Sequence, residues 1–124
     1  MADTLATPTR QVFRLPTVSV EITSAGGERP VVVLPGASAT LAGRLARAGF
    51  ATVTFEGQGP HDLELVLAAL EDGTLGLGAR RYALVERGPN GAIVLTRVEA
   101  GRRFPNMTVT SEDAVVQWLT QDLV

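Results

Sequence analysis

The chain has 124 residues, 45% of them hydrophobic, with a formal net charge of −2 and no cysteine. That length suits one domain whose core needs no disulfide or metal staple, and the missing thiols exclude disulfides, thiolate nucleophiles and zinc–thiolate sites together. All eleven cations are arginines spread along the sequence without forming a basic run, so no nucleic-acid partner is expected.

Residues 1–10 are polar, precede any periodicity, and are expected to be a flexible terminus; residues 11–124 then form a single α/β domain. Met1–Thr4 carries an acid where a secretory signal would carry cations, and no apolar segment follows. No stretch approaches the ~20 apolar residues of a membrane span, so the expectation is a cytoplasmic protein with no membrane partner. Val18, Val20 and Ile22 alternate with Ser19 and Glu21, the two-residue period of a half-buried strand. Ser24–Arg29 reads as a turn. Val31–Leu34 is a continuous apolar run, the mark of a strand buried on both faces of a parallel sheet, and Pro35-Gly36 stops it.

From Ser38 a helix places Leu41, Leu45 and Ala48 on one face and ends at Gly49, suited to the left-handed position after a helix. Ala51–Phe55 is the next strand. After Gly57–Pro60 a second helix starts with Asp62 as N-cap, carries Leu63, Val66, Leu67 and Leu70, and stops at Gly73. Tyr82–Val85 is a further strand, and Met107–Thr110 a short one. The last helix covers Glu112–Leu123, capped by Thr110 or Ser111, with Trp118 expected among the core residues Ala114, Val115 and Leu119.

Gly88-Pro89-Asn90-Gly91 supports two readings. Pro presets a turn angle and Asn-Gly accepts left-handed backbone, so the flanking apolar runs form a β-hairpin. Alternatively Pro89 is a first helical residue and 90–99 continue as a helix, against the β-branched Ile93, Val94, Thr96 and Val98. The alternation of elements predicts an α/β three-layer sandwich: a mainly parallel sheet with right-handed βαβ crossovers, and an N-terminal antiparallel edge strand.

The order Val31–Ser38, a short Ala/Leu/Arg helix, Ala48–Gly59, then Arg81–Leu95 resembles the first half of an α/β-hydrolase over roughly residues 30–95. In that family a strand ends in a Gly-containing oxyanion loop, the next ends in an acidic, glycine-rich loop, and a third leads into the nucleophile elbow. The elbow needs Gly-x-Ser-x-Gly, whereas Gly88 stands where the serine would be, in Glu86-Arg87-Gly88-Pro89-Asn90. The lone histidine, His61, precedes this stretch. The resemblance therefore implies a shortened relative that is catalytically dead.

In open α/β sheets, ligands bind beyond the carboxyl ends of the strands. The ligand-binding candidates are accordingly Gly36, Ser38, Glu56, Gly57, Gly59, Glu86, Arg87 and Gly88. Ser38, His61, and Glu56 or Asp62 are the residue types of a nucleophile–base–orienter triad, although nothing in their spacing brings them into contact. With no lysine, a P-loop is excluded. No cofactor or metal is expected, since one histidine and scattered carboxylates make a poor ligand set. The reading that fits is a non-catalytic binding or interaction domain, able to form a homodimer through an uncovered sheet edge or helix face. Its rivals are a small serine hydrolase using Ser38 and His61, and a flavodoxin-like module binding a small anion.

Overall fold

In the computed structural model, residues 9–24, 30–35, 39–56, 60–75 and 81–123 are described. The strands are β1 (Thr9–Arg14), β2 (Ser19–Ser24), β3 (Val31–Pro35), β4 (Ala51–Phe55), β5 (Arg81–Arg87), β6 (Ile93–Glu99), β7 (Arg102–Arg103) and β8 (Met107–Val109). The helices are α1 (Ala39–Arg47), α2 (Pro60–Glu71) and α3 (Glu112–Trp118), the last continued by a wider, π-type turn over Leu119–Leu123.

One sheet takes the order β1-β2-β4-β3-β5-β6-β7, with β8 also paired to β6. Only β4, β3 and β5 run parallel; every other pairing is antiparallel. The sheet is thus mixed, not mainly parallel as the sequence pattern suggested. The three apolar runs did identify the parallel centre, but five antiparallel pairings accumulate outside it.

Val31–Leu34 are all buried because β3 is central and covered on both faces. Alternation sends its residues into two separate clusters. Val31 and Val33 join Val20, Val53, Tyr82 and Leu84 beneath Val66, Leu67 and Leu70 of α2. Val32 and Leu34 join Ala83, Val85 and Leu95 beneath Leu41 and Leu45 of α1 and Val115 of α3, with Trp118 half-buried against them. β4 is buried throughout, although Thr52 and Thr54 alternate with its apolar residues. Their hydroxyls donate to the carbonyl oxygens of Thr23 (3.4 Å) and Glu21 (3.3 Å) on β2, so burial leaves neither unsatisfied.

Local chemistry sets the element ends. After α1, Phe50 N–H donates to Leu45 O (2.9 Å) and Gly49 N–H to Ala46 O (3.0 Å), with Gly49 at φ 98°. That is the paired closure of a helix by a left-handed glycine. α2 begins at Pro60, a first-turn position where no N–H is required. Asp62 therefore lies inside the first turn and is not the N-cap. α3 is capped by Ser111, whose Oγ accepts from Ala114 N–H at 3.2 Å.

Residues 88–92 form a hairpin loop, not a strand-to-helix elbow. Gly88 N–H donates to Ala92 O (2.8 Å), Asn90 and Gly91 are left-handed at φ 58° and 76°, and β6 runs back along all of β5 from Arg87↔Ile93 to Arg81↔Glu99. β-branched residues that resist a helix fit this strand. β6 also supplies the antiparallel strand needed to cover the edge of so short a parallel sheet. At the other end Thr9 and Arg10, placed by sequence in a flexible terminus, belong to β1. Its TRQVFR carries little apolar signal, and pairing with β2 holds it.

Gly91→Val forces a β-branched side chain into left-handed backbone and should destabilise the domain by about 1–3 kcal/mol, while Asn90→Gly should stay within about 0.5 kcal/mol. Urea unfolding of the two variants checks this.

Candidate functional site

The carboxyl ends of the parallel strands bring together a cavity of about 190 Å3. Its floor is Leu34, Pro35, Leu41, Val85 and Ile93; its rim is Glu86, Arg87, Gly91, Thr110, Ser111 and Glu112. The register builds it. Arg87 opposes Ile93, and Ile93 opposes Val109 on its far side, so the segment after β8 is carried over the end of β5. α1 closes the remaining side through Leu41 and is tied to α3 by Arg44, which reaches Asp113 at 2.6 Å and Glu112 at 3.7 Å. These ion pairs are solvent-exposed and contribute only about 0–1 kcal/mol each, so they orient more than they stabilise.

Arg87 is exposed and Glu86 half-exposed, and neither has a hydrogen-bond or ion-pair partner among the described residues. The cavity thus offers an apolar floor, one uncommitted guanidinium, one uncommitted carboxylate, and the hydroxyls of Thr110 and Ser111. Ser111 Oγ accepts from the α3 backbone and still has its proton to donate.

Among the described residues, the sequence candidates fall in more than one place. Glu86 and Arg87 are in this rim. Gly88 is beside it, but its amide is spent on Ala92 and cannot serve a ligand. Glu56, exposed, lines a different groove of about 360 Å3 with Val12, Glu21 and Thr54, two strands away across β3. Gly36, Ser38, Gly57 and Gly59 lie outside the described residues. His61 is exposed on α2 without a partner among the described residues. Asp62 is buried, and its Oδ1 accepts from Thr17 Oγ1 at 2.6 Å, which fastens α2 to the β1–β2 turn. The apolar residues of α2 and those of α1 belong to different buried clusters.

The C-terminal part of the rim was not singled out from sequence. Ser111 was visible only as a cap. The hairpin reading of 88–99 sets Ile93 beside Arg87, but Thr110–Glu112 join the site only through the separate pairing of β8 with β6. No group of three or more His, Asp or Glu residues is placed to hold a metal, and no helix is long and apolar enough to cross a membrane, among the described residues.

A second concavity, about 220 Å3, lies between α2 and the β6–β7 turn, lined by Glu64, Leu67, Ala68, Glu71, Tyr82, Val98, Gly101 and Arg103. The Tyr82 hydroxyl donates to Glu71 Oε2 at 2.7 Å, and Arg103 pairs with Glu64 at 3.3 Å. Burial, then the hydrogen bond to Glu71 and its charge, pushes the Tyr82 pKa well above its ordinary 10.0.

Comparison with protein-family models, curated proteins and solved structures gave no match.

Tyr82 is the sole tyrosine, so tyrosinate absorbance isolates it. The folded chain holds this proton more tightly than the unfolded chain does. Its stabilisation is therefore complete below pH 10 and is lost as pH rises from there toward the folded value. The absorbance should stay flat through pH 10 and rise only well above it, with the midpoint lowered in Glu71→Gln.

Proposed function

We propose that this is a non-catalytic binding domain whose ligand occupies the cavity at the carboxyl ends of β3 and β5. The supporting observation is the pairing of an apolar floor with the uncommitted Arg87 at its rim. At about 190 Å3 the cavity is smaller than the ~300–1,000 Å3 pockets that hold drug-sized ligands. A compact amphipathic acid suits it: a single ring or short branched chain against Leu34, Leu41, Val85 and Ile93, with its carboxylate on Arg87. Glu86 and Glu112 select against larger anions by repulsion.

The surrounding architecture supports a three-layer reading, α1 and α3 over one face and α2 over the other. It is the arrangement in which strand ends form ligand crevices. A hydrolase-like ancestry has the β3-α1-β4-α2-β5 order in its favour, while the hairpin at 88–92 occupies the place of the elbow helix. Against a serine-hydrolase reading, Asp62 is already bonded to Thr17 and sits beside an exposed His61, so it is poorly placed to orient an imidazole.

Benzoate and isovalerate titrations followed by amide NMR test the binding reading. Saturable shifts at Leu34, Val85–Arg87 and Thr110–Glu112 are expected, weakened about tenfold by Arg87→Gln, the loss of one charge-assisted contact. Shifts that do not saturate, or that ignore the substitution, would remove this site. In parallel, p-nitrophenyl esters should show no turnover that both Ser38→Ala and His61→Ala abolish; such turnover would install the triad instead.

A further inference from the structure

The opposite end of β5 carries a cluster that the cavity does not use. The registers Arg81↔Glu99 and Glu99↔Arg102 place these three side chains in one row across β5, β6 and β7, on the same face. Arg97 lies two residues back along β6 and shares that face. Arg81 Nε is 3.2 Å from Glu99 Oε1, and Arg97 Nε is 3.8 Å from the same oxygen. Phe104 follows β7, its N–H donating to Arg97 O at 2.9 Å. The guanidinium carbons of Arg97 and Arg102 stand over its ring, 4.3 Å and 5.4 Å from the centroid.

Two features make this more than a solvated rim. First, the cluster is short of acceptors. Each guanidinium carries five N–H donors, yet one carboxylate oxygen is shared between two of them. Arg97 Nε is buried with no hydrogen-bond partner, the only such side-chain atom among the described residues. Second, Arg102 stands directly across from Glu99 but makes no ion pair with it; its guanidinium is turned over Phe104 instead, which leaves its N–H donors without a protein acceptor among the described residues. Ordering two arginines on one ring removes side-chain entropy that an anion would otherwise have to cost on binding.

We propose that Arg81, with Arg97 and Arg102 stacked on Phe104, forms a binding site for a phosphate group, free or carried by a small molecule. Three guanidiniums against one carboxylate leave a local charge of +2. That matches the roughly −1.5 to −2 of a phosphate monoester near neutral pH better than the single charge of a carboxylate. Planar N–H forks pair bidentately with phosphate oxygens. Glu99 remains as the element that rejects bulkier polyanions and keeps the pair Arg81–Arg97 spaced. Nucleic acid is the poorer fit, because Phe104 is already engaged by two guanidiniums and three arginines make no extended stripe for a phosphate backbone. The site is about 20 Å along β5 from Arg87, so it is separate from the cavity.

The test uses the full chain in low salt, with inorganic phosphate, phenyl phosphate and acetate as probes, followed by calorimetry and amide NMR. Saturable phosphate binding with shifts confined to Arg81 and Arg97–Phe104 is expected, weakened about tenfold in Arg102→Gln and strengthened in Glu99→Gln. Arg87→Gln should leave it unchanged, which keeps this site distinguishable from the cavity. Phenyl phosphate bound more tightly than inorganic phosphate upholds an organic monoester as the ligand; the reverse order upholds the site with free phosphate as its occupant. Binding that does not saturate, that acetate matches, or that Arg102→Gln leaves intact overturns the proposal. If Arg102→Gln does not fold, as judged by its melting transition, Arg81→Gln carries the same comparison.

Discussion

Everything in this molecule depends on β3 being buried on both faces. A strand in that position must satisfy two cores at once, and Val31–Leu34 does so by sending alternate residues into each. Its two neighbours run parallel to it, and parallel neighbours need crossover connections. α1 and α2 are those connections, and each lies over the cluster its own strand ends feed. Truncating Val33 would disturb the cluster that includes Val66 and Leu70, and truncating Val32 the one that includes Leu41 and Leu45.

The candidate sites follow from how the chain leaves this centre. β6 returns antiparallel to β5, which puts β5's two ends into quite different surroundings. At the carboxyl end, β8 pairs with Ile93–Leu95 and delivers Thr110–Glu112 over the cavity. At the amino end, β7 pairs with Val98 and Glu99 and delivers Arg102 and Phe104 to the arginine row. Two short strands on one side of β6 thus frame the cavity at one end and the arginine row at the other. They also blunt that edge of the sheet against pairing with another chain.

Much of the centre was legible from residues alone. Val31–Leu34, Ala51–Phe55 and Tyr82–Val85 announced the parallel strands, and Leu41/Leu45 and Val66/Leu70 announced the faces of their helices. What escaped had weak local signal. β1 reads TRQVFR, with Val12 exposed, and β7 is two arginines; each is a strand only because a partner is adjacent. Asp62 resembled a cap because its type favours that position, but Pro60 had already started the helix two residues earlier. At 88–92, local chemistry favoured the hairpin while the hydrolase resemblance favoured an elbow, and the local chemistry prevailed. Of the site residues, Glu86 and Arg87 could be placed by the strand-end rule. Thr110–Glu112 and the arginine row depend on antiparallel register, which no single segment encodes.

The two buried clusters each hold one natural chromophore. Tyr82 is on the α2 side, and Trp118, the sole tryptophan, is half-buried on the α1–α3 side. Tyrosine and tryptophan emission therefore report separately on the two faces of one sheet. Since β3 belongs to both, neither face can melt without exposing the other, and the two signals should trace a single cooperative transition.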